Sequence, residues 1–88
     1  MRTAFRKSFT RDLKKIKDRN LLDRLRQVIE QVEASENLSS VPDLKKMAGT
    51  ANFYRIRVGD YRIGIVVEGD CVEFVRCLPR RDLYRFFP

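Results

Sequence analysis

The residues of this 88-residue sequence that are best suited to chemistry are arginines in its second half. Seven arginines and no lysine follow residue 50, whereas all six lysines precede residue 47. A guanidinium stays charged in any protein environment and can donate two parallel hydrogen bonds to one phosphate. Arg55, Arg57 and Arg62 alternate with apolar residues in the stretch FYRIRVGDYRIGIVVEGDCVEF, residues 53–74. The spacing indicates a face of a β-sheet that binds phosphate.

Short strands separated by tight turns are predicted to carry these arginines. Residues 53–58 alternate in polarity, residues 61–68 return after the Gly59-Asp60 turn, and residues 71–78 follow a second turn at 68–70. Links this short join antiparallel neighbours. The second half of the chain is therefore predicted to be an antiparallel meander.

The register of the first hairpin decides where the arginines lie. A two-residue loop pairs the residues that flank it, which places Arg57 opposite Arg62 and Arg55 opposite Gly64. Residues directly opposite each other share a face, while Ile56 points the other way, toward the helices. Like charges on one face destabilise a sheet. We therefore expect an open, concave, helix-free face that binds a phosphate backbone, with Gly64 leaving access to Arg55 unobstructed.

Two amphipathic helices are predicted between residues 9 and 32, where apolar residues recur at spacings of three and four. Ser8 or Thr10 is expected to cap the first helix and Asn20 the second, after an interruption at residues 18–20. The charged helix residues are interpreted as solvated, with nucleic-acid contact as the alternative: Lys14, Lys15, Lys17, Arg24 and Arg26.

A candidate strand at residues 2–5 precedes the helices, which gives the predicted order β-α-α-β-β-β. This is an α+β fold in which an antiparallel sheet carries a helical hairpin on one face. The length predicts one domain, residues 1–88.

The charge composition of the chain indicates which kinds of binding partner to expect. A net charge of +7 and a pI near 9.9 indicate a polyanion, nucleic acid first and an acidic protein second, with a merely soluble basic surface as the alternative. No apolar run approaches the ~20 residues that span a bilayer. The first residues lack the apolar region of a signal peptide, so we expect a cytoplasmic protein without membrane contact.

Histidine is absent, and Cys71 and Cys77 are the only cysteines. We therefore predict neither a metal nor a cofactor. Both cysteines are expected in the core on one face of a strand, ~20 Å apart and too distant for a disulfide.

Three motifs follow one another along the chain: LKKM at residues 44–47, YRIRVGDYRI at 54–63 and RRDLYR at 80–85. They resemble, respectively, the leucine-basic step, the tyrosine-basic-apolar-basic strand with its following tyrosine-arginine pair, and the arginine-arginine-acid-apolar-tyrosine ending of the RelE/ParE superfamily of toxin–antitoxin toxins. Within that superfamily the sequence is similar to the RelE-like messenger-RNA interferases.

The resemblance implies a small nuclease that enters the ribosomal A site and cleaves the messenger-RNA codon there. It implies that Arg55 and Arg57 contact the scissile region and that Arg62 stabilises the phosphate. It further implies that Arg80 or Arg81 donates a proton to the leaving oxygen and that Tyr84 stacks on or orients a base. The residues predicted to bind RNA are Arg55, Lys45, Lys46 and Arg85.

Partners follow from the same resemblance. The implied partners are the ribosome, messenger RNA and a cognate antitoxin encoded by a neighbouring gene. We expect the antitoxin to be acidic and to cover either the arginine face or the apolar ending LYRFFP, residues 83–88. That ending either docks on the core or offers Phe86 and Phe87 to a partner.

Proton transfer is the step for which the sequence offers no obvious residue. Arginine has a pKa above 12 and is a poor base. The candidate bases are Lys45, Lys46, Asp82 and Tyr84, or none beyond orientation by the ribosome. Three further possibilities remain open: a ParE-like poison of DNA gyrase, a non-catalytic RNA- or DNA-binding module in which Phe53, Tyr54 and Tyr61 stack on bases, and an inactive or attenuated toxin.

Overall fold

The sheet places the predicted arginines on the face opposite the two long helices. A computed structural model describes all 88 residues. The elements in chain order are β1 Arg2–Phe5, α1 Lys7–Lys14, α2 Arg19–Ala34, a 3₁₀ turn Leu38–Ser40, β2 Leu44–Lys46, β3 Phe53–Val58, β4 Tyr61–Glu68, β5 Cys71–Pro79 and α3 Arg80–Phe86. The five strands form one sheet in the order β1-β5-β4-β3-β2.

The predicted meander and its register are confirmed. In the hairpin of β3 and β4, Arg57 pairs with Arg62 and Arg55 pairs with Gly64. Gly59 has a φ of 58°, which the tight turn requires and glycine adopts readily. The α+β class is confirmed as well, with three differences from the predicted arrangement: the direction of β1 and the additional elements β2 and α3.

These differences lie at the edges of the sheet and at the chain's end. The N-terminal strand β1 joins the sheet as expected, but it runs parallel to β5, so the sheet is mostly rather than wholly antiparallel. Residues 44–46, which look like a lead into β3, form the separate edge strand β2 and pair with β3. The third difference is the additional helix α3, which follows β5 directly.

Both predicted helix caps are wrong, although the interruption between the helices is confirmed. Helix α1 begins at Lys7, so Ser8 and Thr10 lie inside it; the Ser8 hydroxyl donates to the Val75 carbonyl at 2.6 Å instead. Helix α2 is capped by Asp18, whose carboxylate accepts a hydrogen bond from the Leu21 N–H at 3.2 Å. A carboxylate two residues before Asn20 thus satisfies a free backbone donor of the first turn.

The main core lies between the helices and one face of the sheet. Its buried members come from every layer: Phe9, Ile16, Leu25, Val32, Val41, Ile56, Val58, Ile63, Ile65, Val72, Phe74 and Cys77. Tyr54 and Tyr61 pack against this core. Burial of this apolar surface fixes which face of β3 and β4 is directed away from the helices, and therefore where the arginines project.

A second, smaller core lies on the arginine face and corrects the expectation that this face is free of helices. Val66, Leu83 and Phe87 are buried there together. A Cβ atom at Gly64 would lie only 2.7 Å from the Phe87 ring, so the glycine accommodates the ring and does not leave an open path. The apolar ending therefore docks through Phe87, while Phe86 remains 57% exposed.

A β-bulge corrects the expected placement of the cysteines. Gly64 pairs with Arg76 and Ile65 with Phe74, which leaves Val75 as an extra residue in β5. Cys71 and Cys77 therefore point to opposite faces of the sheet. Cys71 is partly exposed and only Cys77 is buried, where burial and the nearby Asp12 carboxylate raise the pKa of its thiol to about 12.

None of the three helices has both the length and the apolar character needed to cross a bilayer.

Candidate phosphate-binding site

Backbone carbonyls hold one nitrogen of the Arg62 guanidinium and leave another, Nε, without a hydrogen-bond partner. The residue is 8% exposed, and its Nη1 donates to the carbonyl oxygens of Gly59 at 2.8 Å and Tyr61 at 2.9 Å. Its Nε is buried and has no hydrogen-bond partner. A buried donor without a partner is unfavourable. The Nε N–H thus lacks an acceptor, and a phosphate oxygen that reached it would be a suitable one.

The surroundings of Arg62 are strongly positive. Burial lowers the pKa of Arg62 from its ordinary value, and the charges of Arg55, Arg57 and Arg80 lower it further, whereas Tyr84 acts in the opposite direction. Arginine remains protonated at neutral pH even so. The charged guanidinium therefore lies where its charge is disfavoured, and a bound anion would relieve this.

Arg55 is positioned by the turn before β2. Its Nη1 donates to the Asp43 carbonyl at 3.3 Å, and its Nε, like that of Arg62, is buried and has no partner. The same carbonyl accepts the Arg57 N–H at 3.1 Å. Asp43 has a φ of 60°, an unusual value for a residue with a side chain. The carbonyl of this left-handed residue thus accepts hydrogen bonds from two nearby arginines of β3.

A cleft of about 290 Å³ opens beside Arg55. Its lining residues are Lys45, Lys46, Met47, Ala48, Arg55 and Tyr84. Tyr84 reaches the cleft from α3 and is 52% exposed, so its ring is free to stack on a base. The predicted RNA contacts Lys45 and Lys46 line the same cleft, because β2 pairs with β3.

Helix α3 distinguishes Arg80 from Arg81. The Arg80 N–H donates to the Asp60 carbonyl at 2.9 Å, which ties the start of α3 to the turn that holds Arg62. Arg80 and Tyr84 are four residues apart and share a helix face. Arg80 lowers the pKa of Arg62, and Tyr84 acts in the opposite direction. The structure thus brings Arg80 and Tyr84 to the arginines of β3 and β4.

Arg81 and Arg85 lie elsewhere. They are also four residues apart, on the next face of α3, and the Arg85 guanidinium lies 5.5 Å from the Phe86 ring centre. Asp82, a candidate base, lines a separate cleft with Lys15.

Sequence reasoning missed a buried ion pair at the edge of β5. Asp12, 5% exposed, accepts hydrogen bonds from Arg76 at 2.8 and 3.2 Å and from the Cys77 N–H at 2.9 Å. Arg76 also lies 5.9 Å from the Phe86 ring centre, so the pair links α1, β5 and the chain's end. The signal was available, since Asp12 occupies a core position of α1 between Phe9 and Ile16.

No group of three or more Cys, Asp or Glu side chains is arranged to hold a metal ion. The site instead consists of cationic side chains on one sheet face and an aromatic ring across a cleft. A fold and site of this kind define a small basic α+β protein whose cationic face is suited to an anionic partner.

Comparison with known proteins gives the family. Residues 4–84 match the family model described as the ParE toxin of the type II toxin–antitoxin system parDE. The full chain is 43% identical over 89 residues to Toxin RelE3 of Methanocaldococcus jannaschii, and the alignment covers 100% of both proteins. The chain belongs to this family of toxins, and it is a type II toxin of the RelE kind.

Comparison with solved structures also identifies RelE chains as similar to this one. The crystal structure of the RelB-RelE antitoxin–toxin complex from Methanococcus jannaschii matches with a TM-score of 0.81 and 42% identity, over 97% of this chain and 99% of that one. The archaeal RelE-RelB complex from Pyrococcus horikoshii matches with a TM-score of 0.72 and 23% identity, over 90% and 93% of the two chains. At that lower identity the likeness concerns the fold alone.

Proposed function

We propose that this toxin is an endoribonuclease that cleaves messenger RNA in the ribosomal A site. The observation that carries the proposal is the unpartnered Nε of buried Arg62, together with the charges of Arg55 and Arg57 on the sheet and of Arg80 on α3, which lower the pKa of Arg62. Arginines placed in this way are suited to the extra negative charge that develops on a phosphate under attack. The Tyr84 ring across the cleft is suited to hold the adjoining base.

The proposed reaction needs no metal. The ribose 2′-oxygen attacks the adjacent phosphorus in line while the bond from phosphorus to the 5′-oxygen breaks. The products are a 2′,3′-cyclic phosphate and a 5′-hydroxyl, so the proton lost by the 2′-hydroxyl is balanced by one gained by the leaving oxygen. Arg62 and Arg57 would stabilise the negative charge on the five-coordinate phosphorus. Arg80 would donate the proton that the leaving 5′-oxygen gains. Positioning of the message by the ribosome would supply much of the acceleration.

The proton acceptor is best sought in the cleft beside Arg55. Lys45, Lys46 and Tyr84 line it, whereas Asp82 lines another cleft, on the α1 side of α3. We propose Lys45, which lies directly opposite Arg55 in the sheet, as the first residue to test.

The proposed partners are the ribosome in the cytoplasm and a cognate antitoxin. The RelE of Methanococcus jannaschii was solved with its RelB antitoxin, and the present chain is 42% identical to the matched chain. A net charge of +7 favours an acidic partner. We propose that such an antitoxin covers the arginine face or the docked ending, residues 83–88.

Primer extension on ribosomes programmed with a defined codon tests the enzyme. The wild-type toxin should cut within the A-site codon, and Arg62→Ala should not. Arg26→Ala is the matched control, because Arg26 is an exposed arginine paired with Asp23 on α2 and should leave cleavage unchanged. Uncut message with the wild-type toxin would refute the proposed function.

A ParE-like action on DNA gyrase is the second candidate, and the observation that favours it is the name of the matching family model. A supercoiling assay with purified gyrase separates the two functions. Inhibition of supercoiling, with codons left uncut, would replace the nuclease proposal. A non-catalytic module has less support, since Tyr54 and Tyr61 pack against the main core.

A further inference from the structure

The turn before β2 contains the only residue other than glycine that has a positive φ. Asp43 has a φ of 60°, in the left-handed region, where a side chain is disfavoured. Pro42 precedes it, and a proline followed by a positive-φ residue is the usual content of a type II turn, with glycine favoured at the second of these positions. The chain thus has aspartate at a position for which glycine is the better choice.

The Asp43 side chain gives no reason for this conformation. It is exposed, and its carboxylate takes part in none of the ion pairs of the structure. Backbone outliers of this kind persist only where the surrounding structure holds them, and they are concentrated at functional sites. We therefore looked for the reason in the main chain of Asp43.

The Asp43 carbonyl oxygen accepts two hydrogen bonds from β3. The donors are the Arg57 N–H at 3.1 Å and Nη1 of the Arg55 guanidinium at 3.3 Å. The first bond continues the ladder between β2 and β3 by one step, because Leu44 pairs with Ile56. The second bond holds a side chain. One oxygen atom thus fixes the Arg55 guanidinium relative to the backbone that carries Arg57.

The left-handed conformation joins two parts of the chain that are fixed independently. Val41, two residues earlier, is 6% exposed and belongs to the main core. Leu44, directly after Asp43, is paired in the sheet. A residue that avoids the left-handed region would have to abandon one of these contacts or turn its carbonyl away from β3. Turning the carbonyl costs least, because it gives up hydrogen bonds at the end of a ladder and exposes no buried apolar surface.

Arg55 depends on this carbonyl for its orientation. No acidic side chain forms an ion pair with Arg55, and its Nε is buried without a partner. The bond to Asp43 therefore orients the guanidinium beside the cleft that Tyr84 also lines. A displacement of about 1 Å in a group that acts on the reacting atoms can lower a rate about 10²-fold.

We propose that Asp43 is a positioning residue for the cleavage of messenger RNA. Its left-handed backbone directs one carbonyl oxygen at β3 and so holds the Arg55 guanidinium where the scissile phosphate is to bind. The carboxylate takes no part. The role in cleavage rests on the proposed function, whereas the effect of Asp43 on the two arginines does not, so the two proposals can fail separately.

Four substitutions separate the backbone of Asp43 from its carboxylate. Asp43→Gly, Asp43→Asn, Asp43→Ala and Asp43→Val all remove the charge. Glycine and asparagine adopt the left-handed region readily, alanine does so poorly, and the branched valine is the least suited. Asp70→Val is the control, because Asp70 is an exposed aspartate in the turn between β4 and β5, at the opposite end of β4 from Arg62.

Primer extension on programmed ribosomes measures the rate, and its dependence on ribosome concentration gives kcat and KM. Asp43→Gly, Asp43→Asn and the control should keep kcat within about twofold of the wild type, whereas Asp43→Val should lower kcat about tenfold and change KM by less than about twofold. Urea unfolding gives the folded fraction of each variant. Asp43→Ala should show an intermediate loss, and it replaces Asp43→Val if that variant does not fold.

Two results would overturn the proposal. Equal losses of kcat in all four variants would assign the role to the carboxylate. A kcat of Asp43→Val or Asp43→Ala equal to that of Asp43→Asn would show that the conformation of the backbone has no effect on cleavage.

A second background tests whether Asp43 acts through Arg55. In Arg55→Ala the further change Asp43→Val should lower the rate by less than about threefold, because the guanidinium that it positions is already absent. Losses that multiply fully would show that Asp43 acts by another route and would also overturn the proposal.

Nuclear magnetic resonance measures the two hydrogen bonds without the ribosome. Hydrogen exchange at the Arg57 amide should be at least about tenfold faster in Asp43→Val than in Asp43→Asn, and the Arg55 Nε–H signal should shift in the same variant. If both changes are seen but the wild type cuts no codon, the nuclease proposal fails alone. If neither is seen although the wild type cleaves, the positioning proposal fails alone.

Discussion

The Phe87 ring occupies the space that a side chain at Gly64 would need. A Cβ atom there would lie 2.7 Å from the ring, and the two residues meet on the sheet face that carries Arg55 and Arg62. Because Phe87 follows α3 directly, this contact holds the helix that presents Arg80 and Tyr84. The apolar end of the chain thus helps to determine the shape of a cationic site.

Gly64→Ala should destabilise the protein by about 1–3 kcal/mol, because the added methyl group must displace a buried ring. Urea unfolding of this variant, of Phe87→Ala and of the double variant measures the coupling. The double variant should be less destabilised than the sum of the two singles, since the alanine side chain no longer meets the ring. Additive losses would show that Phe87 does not limit residue 64.

Arg62→Met should abolish cleavage without loss of stability. The loss of a preorganised charge at a reacting phosphate is expected to lower the rate by about 10²–10³-fold. The same change removes a buried charge that Arg55, Arg57 and Arg80 disfavour, so the urea midpoint should equal or exceed that of the wild type. Arg62→Lys keeps the charge but not the planar fork and should restore only part of the rate. A marked loss of stability in Arg62→Met would assign Arg62 a structural role instead.

Breaking the buried pair of Asp12 and Arg76 should be costly for the fold. Asp12→Asn removes a carboxylate that accepts three hydrogen bonds, and we expect about 3 kcal/mol of destabilisation in urea unfolding. Asp23→Asn is the comparison, because its pair with Arg26 is exposed and should contribute less than about 1 kcal/mol. Equal effects of the two changes would contradict the importance of burial.

Stability should fall as the pH rises above 9, through Cys77. Its thiol has a pKa of about 12 in the folded protein against 9.0 ordinarily, so the unfolded chain loses this proton first as the pH rises. The free energy of unfolding then declines by up to about 1.4 kcal/mol per pH unit between these values. Cys77→Ala should remove that part of the pH dependence, while Cys71→Ala, on the other face of β5, should keep it. The measurement is urea unfolding at several pH values, and identical profiles for all three proteins would refute the assignment.

The parts of the fold fixed by short-range rules could be predicted from the sequence. A two-residue turn determines the pairing of Arg57 with Arg62, and alternation determines that Ile56 is buried, so this half of the site followed from local pattern. The bulge at Val75 left no comparable local signal, and it reversed the face assigned to Cys71 relative to Cys77. The position of α3 depends on Leu83 and Phe87 finding a groove formed by distant strands, and this position brings the charge of Arg80 near Arg62.

Three successive carbonyl oxygens of the turn between β3 and β4 connect the two ends of the site. Those of Gly59 and Tyr61 hold the Arg62 guanidinium, and that of Asp60 holds the Arg80 N–H. All three acceptors belong to the main chain, so side-chain replacement at Asp60 would leave the spacing of the two arginines intact. A single inserted residue would change it. The geometry of this toxin's site is therefore encoded in the length of a turn more than in its composition, which allows the surface around the site to diversify while the arginines keep their places.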